Sequence, residues 1–212
     1  RRDGPRSMRN PAKRQIQVHA SRESERIRLI LKGDAEAFRS LVREYYPLTF
    51  DLAFKMLGDP QDAEEVVQDA FIKIHQALGS FRGEASLKTW ILRIVMRLSL
   101  NRRRDRARSA WHRLGLNRGE GNVHQDDSPV PSPTGGRNPE EQYISGETRR
   151  QVLDLVDQLP DPLRQVLILN SFEDLSYEEI ARILDIPLGT VSSRIYSARK
   201  KLLRALEQRD LF

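Results

Sequence analysis

Leu175-Ser-Tyr-Glu-Glu-Ile-Ala-Arg-Ile-Leu-Asp-Ile-Pro-Leu-Gly-Thr-Val-Ser-Ser-Arg-Ile-Tyr-Ser-Ala-Arg199 reads as one helix, a tight turn and a second, cationic helix. Ser176 and Glu179 have the spacing of a capping box, in which each side chain accepts from the other residue's backbone N–H. Ile180, Ile183 and Leu184 form the apolar side of the first helix. In Asp185-Ile-Pro-Leu-Gly189, Pro187 cannot continue a helix and Gly189 permits unusual backbone angles, so Ile186 and Leu188 are expected to pack between the two helices. Val191, Ile195, Ala198 and Leu202 recur at helical spacing and face inward. That leaves Ser192, Ser193, Arg194, Tyr196, Ser197, Arg199, Lys200 and Lys201 for solvent or a duplex. No acidic residue lies between Leu188 and Leu206. Box, turn and charge segregation agree on a DNA-binding helix-turn-helix; the bland alternative is a helical hairpin whose second helix happens to be basic.

The rest of the chain narrows the class. Its 212 residues, 38% of them hydrophobic, suit two small helical domains better than one large core. The net charge of +6 points toward an acidic partner such as nucleic acid. This charge is unevenly spread: Arg102 to Arg118 holds seven arginines against Asp105, and the first 28 residues are also basic. There is no cysteine, which excludes disulfides, thiol catalysis and thiolate zinc sites. The histidines (His19, His75, His112 and His124) lack paired metal-ligand spacing, so no metal or cofactor is expected. No apolar run approaches the roughly 20 residues that span a bilayer, and a soluble, cytoplasmic protein is expected. The chain opens on Arg1, with Met8 as a candidate natural start.

Residues 1–22 are basic, polar and aperiodic, and read as a flexible arm. Four helical stretches follow within 23–108. Glu23 to Lys32 comes first; Ala35 to Leu57 is next, where Pro47 is expected to kink the helix or split it in two. Gly58-Asp59-Pro60 supplies a stop, an N-cap and a first-turn proline in succession. Pro60 to Leu78 carries Ala63, Val66, Val67, Ala70, Phe71, Ile74 and Ala77 on one face. Its other face holds Asp62, Glu64, Glu65, Gln68 and Asp69, and the dipole of the helix start does not account for Asp69. After Phe81 to Ser86, the fourth helix sets Leu87, Trp90, Ile91, Ile94, Val95 and Leu98 opposite a basic stripe of Lys88, Arg93, Arg97, Asn101 and Arg104. Residues 109–139 turn to Gly, Pro, Ser, Asn and Asp and read as a flexible linker. A second domain, 140–212, is expected to hold a helix to Gln158, a helix from Leu159-Pro-Asp-Pro162 to Phe172, and the helix-turn-helix.

Two motif blocks in this order carry a resemblance. Asp59-Pro-Gln-Asp-Ala-Glu-Glu-Val-Val-Gln-Asp-Ala-Phe-Ile-Lys-Ile-His-Gln-Ala-Leu78, Ser80-Phe-Arg-Gly83 and Thr89-Trp-Ile-Leu-Arg-Ile94 form the first. Leu159-Pro and Gly189-Thr-Val-x-Ser-Arg194 form the second. Together they resemble the extracytoplasmic function sigma factors of bacteria over about residues 25–105 and 140–207. The resemblance implies an all-α fold, with a four-helix region 2 domain and a region 4 helix-turn-helix domain joined by a flexible linker. It also implies a non-enzymatic initiation subunit that binds the β and β′ subunits of core RNA polymerase as a monomer and directs it to −35 and −10 promoter elements. An anti-sigma factor, often membrane-tethered, is the implied inhibitor, and would hold the protein at the inner membrane.

By this resemblance Asp62, Glu65, Gln68 and Asp69 meet the polymerase. Lys73, Ala77, Phe81, Arg82, Thr89, Arg93, Arg97 and Asn101 line the −10 strand, where a flipped base is held by stacking. Trp90 and Phe71 are expected in the core, and Arg102 to Arg108 on phosphates. Arg194, Tyr196 and Arg199 are expected to read the −35 element, with Thr190 and Ser193 on phosphates and Ser192 and Ser197 beside them; Arg194 has an intradomain salt bridge as its alternative role. Relatives commonly have Asn at the place of Arg97 and Arg at the places of Ser192 and Ser197, so neither promoter preference carries over. Two other classes compete: an autonomous helix-turn-helix regulator, which would bind a palindrome as a dimer, and a nucleic-acid enzyme, whose carboxylates would have to converge.

Overall fold

A computed structural model describes residues 22–113, 151–172 and 175–209. Among these residues every regular element is helical. The first group comprises α1 (22–31), α2 (Ala35–Leu57), α3 (Pro60–Ala77), a single 3-10 turn (Leu78–Ser80) and α4 (Leu87–Arg113). The second comprises α5 (described over 151–157), α6 (Asp161–Asn170), α7 (Tyr177–Leu184) and α8 (Leu188–Glu207).

Short polar punctuation sets the helix boundaries. The Asp34 carboxylate caps α2 by accepting from the N–H groups of Glu36 and Ala37, at 2.9 and 3.0 Å. At the far end Gly58 adopts φ +71° and donates its N–H to Phe54, a left-handed cap that an L side chain resists. Asp59 then caps α3 through the Asp62 N–H at 2.8 Å, with Pro60 in the first turn, as the sequence predicts. Pro47 does not split α2, which runs unbroken through it. The missing N–H removes one bond to Arg43, while nearby Thr49 is buried and donates its hydroxyl to the carbonyls of Tyr45 and Tyr46.

α2, α3 and α4 pack on one another around Leu41, Leu52, Met56, Val67, Ile74, Leu87, Ile91 and Val95, all essentially without solvent exposure. Ala53, Ala63 and Ala70 are fully buried between the large side chains, so helix axes approach closely there. On α4 the buried arc is wider than the sequence predicts. Leu92 and Met96 are buried while Trp90, Ile94 and Leu98 are half-buried, because α7 covers a second side of this helix. α4 also continues to Arg113, past the boundary expected at residue 108.

In the second group the expected capping box is formed, with Glu179 N–H donating to Ser176 Oγ at 3.2 Å and Ser176 N–H to Glu179 Oε2 at 2.9 Å. The turn differs from expectation. Its left-handed residue is Asp185, at φ 55°, whereas Gly189 already lies inside α8 with an ordinary backbone. Asp is among the few non-glycine residues that tolerate this region. Ile186 packs on the core as expected, but Leu188 is 45% exposed at the start of α8. Leu159, Val166, Leu169, Ile180, Ile183, Val191, Ile195 and Ala198 form the interior of this group.

The two groups touch: α2 lies against α6 and α4 against α7, and their buried side chains form one continuous hydrophobic cluster. The expected N-terminal arm (1–21), the linker (114–139) and the helix before residue 151 lie outside the described residues.

Candidate nucleic-acid interface

α8 presents a cationic face. Val191, Ile195 and Ala198 anchor it inward, which turns Ser192, Ser193, Tyr196, Arg199, Lys200 and Lys201 out; Thr190, Arg194 and Ser197 sit half-buried on its flanks. Tyr196 is 68% exposed, and Lys200 Nζ stands 6.0 Å from its ring centroid. Ser193 donates to the Thr190 carbonyl at 3.1 Å. Among the described residues no carboxylate pairs with Arg194, so the intradomain salt bridge considered for it is not formed. The face therefore offers several cations and one aromatic ring, and no negative charge from its own helix before Glu207.

The loop between α3 and α4 frames a second surface. Phe81 is half-buried against Trp90, ring centroids 5.4 Å apart and tilted by 57°. Gly83 takes φ +72° and makes the bend, with Arg82 exposed beside it. Ser86 caps α4 by accepting from the Thr89 N–H at 3.1 Å, and its hydroxyl pairs with Thr89 Oγ1 at 2.8 Å. Thr89 is thereby buried, 1% exposed, and acts as part of the cap rather than as a strand contact. Lys73, Arg97 and Asn101 are exposed and Ala77 is half-buried. Arg93, first of the row 93, 97, 101 on α4, is half-buried: its guanidinium donates to the Arg182 carbonyl of α7, Nε at 2.9 Å.

The acidic face of α3 is divided. Glu64, Glu65, Gln68 and Asp69 are exposed. Asp62, expected to look outward with them, is instead buried and turned to α4. It accepts from Arg102 Nε at 2.8 Å and from Arg106 Nη1 at 2.5 Å, and Arg102 also bonds Glu65. The hydrogen bond to Asp62 raises the Arg102 pKa further above its ordinary value. Asp62 is thus an internal staple between α3 and α4. Arg102 and Arg106, expected on phosphates, are its other half.

Residues that the sequence reading missed lie where the two groups meet. Arg103 donates to Asp161 Oδ1 at 3.1 Å and to Asp157 Oδ1 at 2.6 Å. Arg164 is 2% exposed; it donates from Nε to the Val156 carbonyl at 3.0 Å and from Nη2 to the carbonyls of Leu159, at 2.7 Å, and Asp157. It so closes the corner between α5 and α6 by satisfying carbonyls at the end of α5. Lys55 of α2 stands 4.3 Å from the Phe172 ring centroid and 3.4 Å from Ser171 Oγ. The one sequence signal for the Arg103 pairs was an excess of arginine in α4, which names no partner.

Among the described residues no cluster of His, Asp and Glu could hold a metal ion, and no helix is long and apolar enough to cross a membrane. The family description Sigma-70 region 2 matches residues 41–109, and Sigma-70, region 4 matches residues 149–202. The RNA polymerase sigma-H factor of Pseudomonas aeruginosa is 33% identical over 185 residues, 87% of this chain and 94% of that protein. The ECF RNA polymerase sigma factor SigW of Bacillus subtilis is 32% identical over 187 residues, 88% of this chain and 97% of that protein. The solved sigma factor RpoE of Bartonella quintana, in complex with the anti-sigma factor NepR, has the same fold, with a TM-score of 0.60 at 22% identity over 82% of this chain and 98% of that one. Two sigma regions in order and full-length relatives above 30% identity make this chain a member of the extracytoplasmic function sigma factors of bacterial RNA polymerase.

Proposed function

We propose that the chain is a cytoplasmic, non-enzymatic specificity subunit that joins core RNA polymerase as a monomer and selects promoters. The observation that carries this reading is the separation of charge: an exposed acidic patch on α3 belongs to one helical group and an unpaired cationic helix, α8, to the other. Glu65, Gln68 and Asp69 are the polymerase-facing residues; Asp62 is left to hold α4. Phe81 and Arg82, with Lys73, Ala77, Arg93, Arg97 and Asn101, serve the opened −10 strand. Arg194, Tyr196 and Arg199 read the −35 major groove, flanked by Thr190, Ser192, Ser193 and Ser197 on the backbone. Docking on polymerase joins two weak DNA contacts into one strong one through effective concentration. An anti-sigma protein, the kind of partner named for the Bartonella quintana factor, is the regulator proposed for this chain as well.

Run-off transcription with bacterial core polymerase on sheared genomic DNA, with and without the protein, tests this function. New starts that share two spaced motifs are the expected result. DNA binding by the protein alone, without new starts, would instead favour an autonomous regulator.

A further inference from the structure

One of the acids assigned to the polymerase is already engaged from inside the molecule. Asp62 and Glu65 stand three residues apart on α3 and share a side of it. Arg102 reaches across from α4 and bonds both: Nε and Nη2 donate to Asp62 Oδ1 at 2.8 and 2.5 Å, and Nη2 also donates to Glu65 Oε2 at 2.5 Å. The two carboxylates differ in depth. The Asp62 side chain is 13% exposed and takes a second arginine, Arg106, on its Oδ2, whereas the Glu65 side chain is 49% exposed. Asp62 thus fixes the guanidinium, and the guanidinium fixes Glu65. Among the described residues no ion pair holds Glu64 or Asp69, the neighbouring exposed acids of α3, so Glu65 is the one member of the patch with a set position. Its Oε2 is occupied; its Oε1 takes no bond among the described residues and is left to accept from a partner.

We propose that Arg102 is a positioning residue for polymerase docking: anchored on Asp62, it holds the Glu65 carboxylate in one conformation and leaves Glu65 Oε1 for a donor of core polymerase. The proposal rests on the reading of Glu65 as a polymerase contact. A mobile Glu loses rotamer freedom when it is bound, and a side chain ordered beforehand avoids that loss. Charge alone predicts the reverse. Arg102 neutralises an acid that attracts a cationic partner, so on a purely electrostatic account its removal tightens binding. The two accounts of Arg102 thus differ in sign. Arg106 separates them further, because it brings the same charge to Asp62 and makes no bond to Glu65 among the described residues.

The test measures the affinity of the full chain for bacterial core polymerase in the absence of DNA, so that any contact of α4 with phosphates does not enter. The parent is compared with Arg102→Ala, Arg106→Ala, Glu65→Ala and the double variant Arg102→Ala with Glu65→Ala, and urea denaturation of each variant confirms that it is folded. Arg102→Ala is expected to weaken polymerase binding by about 3–10-fold. Arg106→Ala is expected to leave it unchanged. Glu65→Ala weakens binding, and adding Arg102→Ala to it costs nothing more, as expected of two residues that act as one unit. Lost stability does not imitate this pattern, since Arg106→Ala strips Asp62 of a partner just as Arg102→Ala does. Equal or tighter binding by Arg102→Ala, an equal loss in Arg106→Ala, or an undiminished effect of Arg102→Ala in the Glu65→Ala background overturns the positioning role. If Glu65→Ala alone leaves polymerase affinity unchanged, the assignment of Glu65 to the polymerase fails and takes the proposal with it.

Discussion

Helices α4 and α8 are both rich in arginine and lysine, yet their cations are differently occupied. On α4, Arg93, Arg102, Arg103 and Arg106 are all bonded within the chain, to a carbonyl of α7 and to carboxylates of α3, α5 and α6. On α8, Arg194, Arg199, Lys200, Lys201 and Arg204 meet no carboxylate among the described residues. The difference follows from position. α4 runs between two acidic neighbours, whereas α8 lies at the edge with no acid in its own sequence before Glu207. A positive count on a helix therefore measures nucleic-acid affinity only after internal partners have been subtracted.

The largest effect that would break or sharpen this contrast comes from the acidic side. Asp69→Arg is expected to cost several kcal/mol of affinity for core polymerase, through like-charge repulsion at the docking face, and to leave thermal stability intact. Unchanged binding to core enzyme would remove Asp69 from that face. Asp62→Ala should do the opposite, lowering folding stability by about 1–3 kcal/mol because Arg102 and Arg106 lose their shared carboxylate. The 39% and 52% exposure of those arginine side chains keeps the cost below that of a fully buried pair. Urea denaturation reads it directly, and an unaltered midpoint would deny the staple.

On α8, Arg194→Ala is expected to relax −35 selectivity by about 1–3 kcal/mol at a single base position, measured by binding to a panel of altered promoters. A uniform loss across the panel would assign it to phosphate. Lys200→Ala should have the smallest effect, weakening all sequences alike and reducing the salt slope by about one. If Lys200→Ala lowered folding stability as Asp62→Ala does, the contrast between the two helices would fail.

Much of the fold was legible because local rules and tertiary packing agreed. Gly58-Asp59-Pro60 marks a boundary in any context, and the Ser176 capping box needs only residues three apart. Pro47 does not divide α2 because a single missing N–H at an exposed position is tolerated within a long, well-packed helix. The turn was misassigned because glycine is the usual left-handed residue, and Asp185 took that role one position after α7 ends. Among the site residues, Thr89 and Asp62 were read from motif position, whereas their burial depends on partners. Thr89 binds Ser86 within one helical turn, a cap signal present in the sequence. Asp62 binds residues 40 and 44 positions away, and no local pattern encodes that.

Arg164 gives the meeting of the two groups a particular thermodynamic character. Its guanidinium lies 3.4 and 3.5 Å from the same Asp157 and Asp161 that receive Arg103, and it stays within its own group. Departure of Arg103 therefore leaves neither acid without a counter-ion: the carboxylates retain a resident neutralising charge, and the departing arginine is rehydrated. Such a joint leaves neither the acid of α5 nor that of α6 unneutralised when Arg103 is replaced.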